Sequence, residues 1–100
     1  MSEKSWSEIL AEHSPELAEL NRQDGAFLES DSNLPAWIKL LMAMQLDAVF
    51  NHPGGVRYYG RRARELGASP QQVAEAIQVL RMFAGRPAMV TGAEGLREDS

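Results

Sequence analysis

Cysteine is absent from all 100 residues, and that gap removes disulfides, thiol redox cycling, cysteine–zinc sites and cysteine nucleophiles from the chemistry open to the chain. Histidine is nearly absent as well. His13 and His52 stand far apart with no HxxxH or HExxH spacing, so no metal site is expected. Gly54-Gly55 and the Gly92/Gly95 pair make no GxGxxG or phosphate loop, and no cofactor is expected. Nowhere do apolar residues run unbroken for the roughly 20 positions that a membrane helix needs. The start, MSEKSWSEIL, holds no leader-like run either, so the expectation is no membrane contact and a cytoplasmic location. Excess positive charge is missing too. A formal charge of -4, with 44% hydrophobic and 24% charged residues, suits an ordinary soluble protein and argues against nucleic-acid binding.

Strand-like alternation and internal repeats are also lacking, which predicts an all-α chain of five or six helices and no sheet, folded as a single domain over residues 1–100. Leu34 to Phe50 organises it. In LPAWIKLLMAMQLDAVF, Leu34, Ile38, Leu41, Met42 and Val49 mark one side of a helix, and Leu40, Met44, Leu46 and Phe50 cover most of the rest. A helix this apolar around its circumference calls for burial on more than one side, and so for a partner chain.

Ahead of it, Ser5 and Glu8 have capping-box spacing for a first helix carrying Trp6, Ile9 and Leu10. Ser14-Pro15 starts a second, with a break expected at Asn21 to Gly25 and an apolar plug at Ala26 to Leu28. Ser32 or Asn33 is expected to cap the long helix, which should stop by Asn51 before His52-Pro53-Gly54-Gly55. Val56 to Leu66 returns to helical spacing, with Val56, Tyr59, Ala63 and Leu66 toward the core and Gly67 as a left-handed stop. Ser69-Pro70-Gln71-Gln72 then supplies an N-cap, a first-position proline and a capping-box glutamine. Val73, Ala76, Ile77, Leu80, Phe83 and Ala84 follow at helical spacing; Gly85-Arg86-Pro87 closes that helix, a last one follows, and Arg97 to Ser100 should fray.

This order of features resembles one known family. A long apolar helix, a short break, Ala63-Arg64-Glu65-Leu66-Gly67-Ala68, then Ser69 to Ile77 and Ala84-Gly85-Arg86-Pro87-Ala88 is similar to the carboxymuconolactone decarboxylase and alkylhydroperoxidase-D-like family. The likeness covers residues 34–93 and leaves 1–33 as a helical N-terminal extension. It implies an alkylhydroperoxidase-D-like helical bundle that assembles as a homo-oligomer, a dimer, trimer or hexamer. In the peroxidase branch a CxxC pair would fall on His52 and Gly55, a later histidine on Tyr59, and a glutamate near Leu40 beside Lys39. None of those residue types is kept, and peroxide reduction of that kind needs a thiolate. The decarboxylase branch needs no cysteine or metal, but its histidine would again match Tyr59.

Several positions keep a claim on chemistry. His52 is a candidate acid–base or ligand-binding residue at an exposed helix end, or a residue that interacts with the last carbonyls of the long helix. His13 reads as solvent-facing or as part of a cap. Tyr59 is a core or interface tyrosine, or a hydrogen-bond donor to a substrate. Arg57, Arg61 and Arg64 share a face and would receive a small carboxylate or an acidic partner, unless they are solvated or paired with Glu65 or Glu75. Asp47 interrupts the apolar helix and must meet an arginine, a backbone donor, water or His52. Glu75 belongs to the family pattern, with pairing or capping between helices as its simpler role. Two functions follow from these readings: a binding, structural or accessory subunit without thiol peroxidase activity, or a cofactor-independent decarboxylase or proton-transfer lyase for a small carboxylated molecule.

Overall fold

The computed structural model describes residues 3–98, and the chain divides into two compact units between Ser30 and Asp31. In the first unit, α1 (Trp6–His13) starts at the expected capping box: the Ser5 side chain accepts from the Glu8 backbone N–H while the Glu8 carboxylate accepts from the Ser5 N–H. Ser14 caps α2 (Pro15–Leu28) by accepting from the Leu17 N–H, with Pro15 in the first turn. The expected break at Asn21 to Gly25 does not occur. Glu19 accepts from Arg22 at 2.6 and 2.9 Å and from Gln23 at 3.0 Å, bracing the turn that precedes Gly25. One helical glycine, at a cost of about 1 kcal/mol, does not end the helix. The apolar plug is corrected as well: Phe27 is exposed, and neither α1 nor α2 has a buried residue.

The second unit is built from α3 (Ala36–Val49), α4 (Pro53–Glu65), α5 (Pro70–Gly92) and a closing 3-10 turn (Ala93–Leu96). Among the described residues no strand occurs, and no helix is long and apolar enough to cross a membrane. Neither Ser32 nor Asn33 caps α3. Pro35 holds the N-cap position, and the Asp31 carboxylate reaches forward to accept from the Ala36 N–H at 2.8 Å. Ser32 is engaged elsewhere: its N–H donates to the Leu34 carbonyl and its Oγ accepts from Lys39 Nζ at 3.1 Å. That contact answers part of the cost of a lysine only 5% exposed.

At the other end of α3 the chain reverses in a left-handed cap. Asn51 has φ 57, the Asn51 N–H donates to the Ala48 carbonyl at 3.1 Å, and the His52 N–H donates to the Asp47 carbonyl at 2.8 Å. α4 then begins at Pro53 instead of Val56, because proline suits a first helical position whose N–H has no intrahelical acceptor. Val56, Gly60 and Ala63 are its buried face, Tyr59 is half-buried, and Leu66 is exposed where burial was expected. Gly67, at φ 128, makes the expected left-handed stop.

The capping box of Ser69 and Gln72 opens α5 as read from the sequence. Gly85, at φ 86 and ψ -176, interrupts it and leaves two arms, residues 70–84 and 86–92. In a continuous helix Gly92 would lie about 18 Å from Leu80. Instead a Cβ built on Gly92 would stand 3.0 Å from Leu80 Cδ2 and 3.5 Å from Ile77, so the second arm folds back on the first. Val73, Ile77 and Leu80 are buried in this hairpin, whereas Phe83 and Ala84 are exposed, against expectation. They lie between the hinge at Gly85 and Leu80, the residue that the returning arm meets at Gly92. The 3-10 turn packs onto α4 so closely that a Cβ on Gly60 would meet the Gly95 Cα and carbonyl oxygen at 2.5 Å. Arg97 is not frayed, since its carbonyl accepts from Arg64 Nη2 at 2.7 Å, and Glu98 is exposed with its carboxylate 3.9 Å from Arg64 Nη1; the rest of the predicted fraying, at residues 99–100, lies outside the described residues. Leu40, Met44, Val56 and Val73 are the largest fully enclosed side chains, each contributing about 1.5–3 kcal/mol by its removal from water.

Candidate functional site

The α3–α4 reversal brings two of the candidate residues together. Asp47 sits in the last turn of α3, and His52 is the N-cap of α4. Asp47 Oδ2 lies 3.4 Å from His52 Nδ1, long for a hydrogen bond and short enough for an ion pair when the imidazole is protonated. Gly55 is the floor of this pair: a Cβ there would overlap Asp47 Oδ2 and stand 2.7 Å from His52 Nδ1. The carboxylate therefore rests on the first turn of α4, at the positive end of that helix. The imidazole side chain is 66% exposed and the carboxylate 25%, so the histidine faces solvent while the aspartate is mostly covered.

The His52 backbone N–H is also one of the donors that close α3. Tyr59 lies seven residues further along α4, two turns or roughly 10 Å of rise. Its ring meets that of Tyr58 edge-on at 5.3 Å between centroids.

The arginine face turns away from this pair. Arg57 Nη2 donates to Glu94 Oε1 at 2.6 Å, and Arg64 reaches the Arg97 carbonyl. The Arg61 guanidinium lies over the Tyr58 ring, 5.6 Å from its centroid. Glu65 pairs with Arg62 at 2.7 Å, while Glu75 is exposed on α5. The expected candidates thus fall into four places: Asp47 with His52, Tyr59 with Tyr58 and Arg61, Arg57 with Glu94, and Glu75 on α5.

Glu94 carried no signal in the sequence. It accepts from Arg97 Nε at 2.8 and 2.9 Å as well as from Arg57, and those hydrogen bonds hold its carboxyl down at about 2. The Asn51 side chain was also missed; its Oδ1 accepts from Thr91 Oγ1 at 3.0 Å and ties the α3–α4 reversal to the second arm of α5. Both contacts span about forty positions of sequence, beyond any local pattern. A shallow depression on α2, lined by Pro15, Glu16, Glu19 and Leu20, contains none of the candidate residues.

Among the described residues no group of three or more His, Asp or Glu could hold a metal ion. What the arrangement offers chemically is one imidazole–carboxylate pair, open on the imidazole side and capable of moving a proton. Comparison of the chain with protein families, with curated proteins and with solved structures finds no match.

Proposed function

We propose that this chain is a non-redox protein of the carboxymuconolactone decarboxylase-like type, acting as a binding or structural subunit instead of a thiol peroxidase. The observation that carries this reading is the internal use of the arginine face. Arg57 is committed to Glu94 and Arg64 to the Arg97 carbonyl, so two cations suited to a carboxylate substrate serve to fasten the closing turn. The absence of cysteine removes the peroxidase half of the family chemistry directly. The order of helices and the glycine stops support the family likeness.

A second reading has one observation in its favour. Asp47 against His52, on the glycine floor of α4, is an arrangement that would let the imidazole give or take a proton at a small carboxylated molecule. The test offers the purified chain a panel of β-keto and lactone carboxylic acids and measures carbon dioxide release. The expected outcome is release no faster than in buffer alone. Turnover that falls at least about a hundredfold in both His52→Ala and Asp47→Asn, as loss of a general acid–base would require, replaces the structural reading with the lyase.

A further inference from the structure

Residues 1–30 carry seven acids against two bases, a formal charge of -5, whereas residues 31–100 carry eight bases against seven acids. The excess negative charge of the chain therefore sits in its first compact unit. There α1 and α2 pack on each other, yet neither has a buried residue. With 8 and 14 residues, both fall within the lengths, up to about 12–15 residues, at which a helix is marginal in water unless a face of it is covered.

The larger apolar side chains of this unit are in water. Ile9 follows Trp6 by three positions on α1, and Leu20 follows Leu17 by three on α2 with Phe27 seven further on, so each helix carries an exposed apolar line at helical spacing. Trp6 is 63% exposed and Leu20 56%. Acids border the second line. Glu16 and Glu19 lie with Pro15 and Leu20 around the shallow depression on α2, and Asp24 falls between Leu20 and Phe27. Both bases of the unit are already used, Lys4 on Glu12 and Arg22 on Glu19, while Glu16 and Asp24 form no ion pair among the described residues.

We propose that α1 and α2 form a docking element for a different protein, and that what they take is an amphipathic helix with lysine or arginine along the edge of its apolar face. The apolar lines of the unit cover the partner's apolar face, and the unanswered carboxylates meet its basic edge. The depression at Leu20 suits a long basic side chain, its methylene stem against Pro15 and Leu20 and its cation beside Glu16. Charge sets the other occupants aside: an anionic lipid surface repels a unit of this sign, and a second copy of the unit brings like charge to the contact.

The inference rests on the binding-subunit reading and names the chemistry of its partner, and the two fail separately. Turnover that depends on His52 and Asp47 ends that reading without altering what a titration of α1 and α2 reports; a failed titration removes the docking element and leaves the carbon dioxide result standing. The experiment titrates the full chain calorimetrically with a synthetic amphipathic peptide of leucine and lysine at helical spacing. Beside it stand the same pattern with glutamate for lysine, and the same lysines with glutamine for leucine. Sedimentation of the chain alone, and with vesicles of phosphatidylserine and phosphatidylcholine, completes it. The leucine–lysine peptide is expected to bind in the micromolar range and to weaken as salt is raised, with each control peptide at least about tenfold weaker. Leu20→Gln should weaken binding at least about tenfold, and the double variant Glu16→Gln, Asp24→Asn at least about fivefold. All three positions are exposed, so circular dichroism should find both variants as helical as the wild type.

A chain that binds no peptide, binds the glutamate peptide as well as the lysine one, or binds unchanged in both folded variants overturns the proposal. So does attachment to the vesicles, or self-association that Leu20→Gln abolishes, since each supplies a different occupant.

Discussion

Glu94 takes two arginines at once, and both of its oxygens are held. The hydrogen bond from Arg97, followed by that from Arg57, lowers its carboxyl from 4.5 to about 2 in the folded chain. A carboxyl depressed by folding contributes stability that is complete above its unfolded value and disappears as pH falls through the folded one. For Glu94 that window runs from about 4.5 down to about 2. Glu94→Gln should melt a few degrees below wild type at neutral pH, and the gap should close as the pH is taken down through that window. A gap that stays constant to the bottom of the window would show that the carboxylate charge is not what holds the turn. At this scale the sequence was partly legible. Asp47 stood out as a charge in an apolar helix, and His52, five positions away, lay within reach of local geometry. Glu94 did not stand out, because nothing near it in sequence reveals that Arg57 will arrive from another helix.

Where a helix touches backbone, glycine is the readable trace, although reading it requires the fold. Gly60 and Gly25 both lie inside helices, α4 and α2, and on helix propensity alone both look like weak points. Their surroundings set them apart. A methyl on Gly60 would run into the Gly95 backbone, which has no flexible end to give way, whereas a methyl on Gly25 would meet nothing within 4 Å. Gly60→Ala should therefore cost about 1–3 kcal/mol through overpacking, and Gly25→Ala should add about 0.5–1 kcal/mol by restraining the unfolded chain and favouring helix. Chemical denaturation of the two variants side by side checks both signs; a neutral Gly60→Ala would mean that the 3-10 turn can lift off α4 freely.

The elements that could be placed from sequence were those with local chemistry at their ends: the capping boxes at Ser5 and Ser69, the Ser14-Pro15 start, and the stops at Gly67 and Gly85. Those misplaced were decided by side chains farther off. Asp31 starts α3 from five residues away, and the Glu19 clamp carries α2 toward a glycine that seemed to end it. Phe83 had the right spacing for the core, but spacing does not say which side of the helix the returning arm will cover.

All the buried residues described lie between Ala36 and Gly95, within the second compact unit. That unit should hold together without the first. A chain beginning at Asp31 is expected to keep a single cooperative helical melt by circular dichroism. A gradual, non-cooperative loss of signal would instead make α1 and α2 part of what stabilises the core.

The tight seat of Gly95 against Gly60 and Met44 also sets an order of events during synthesis. Met44, Val56 and Gly60 leave the ribosome well before the turn that covers them. At cellular rates of translation the wait is about 3–10 s. Through that interval the turn at Ala93–Leu96 cannot cover Met44 and Val56, so the growing chain leaves both open to whatever is nearby until it arrives.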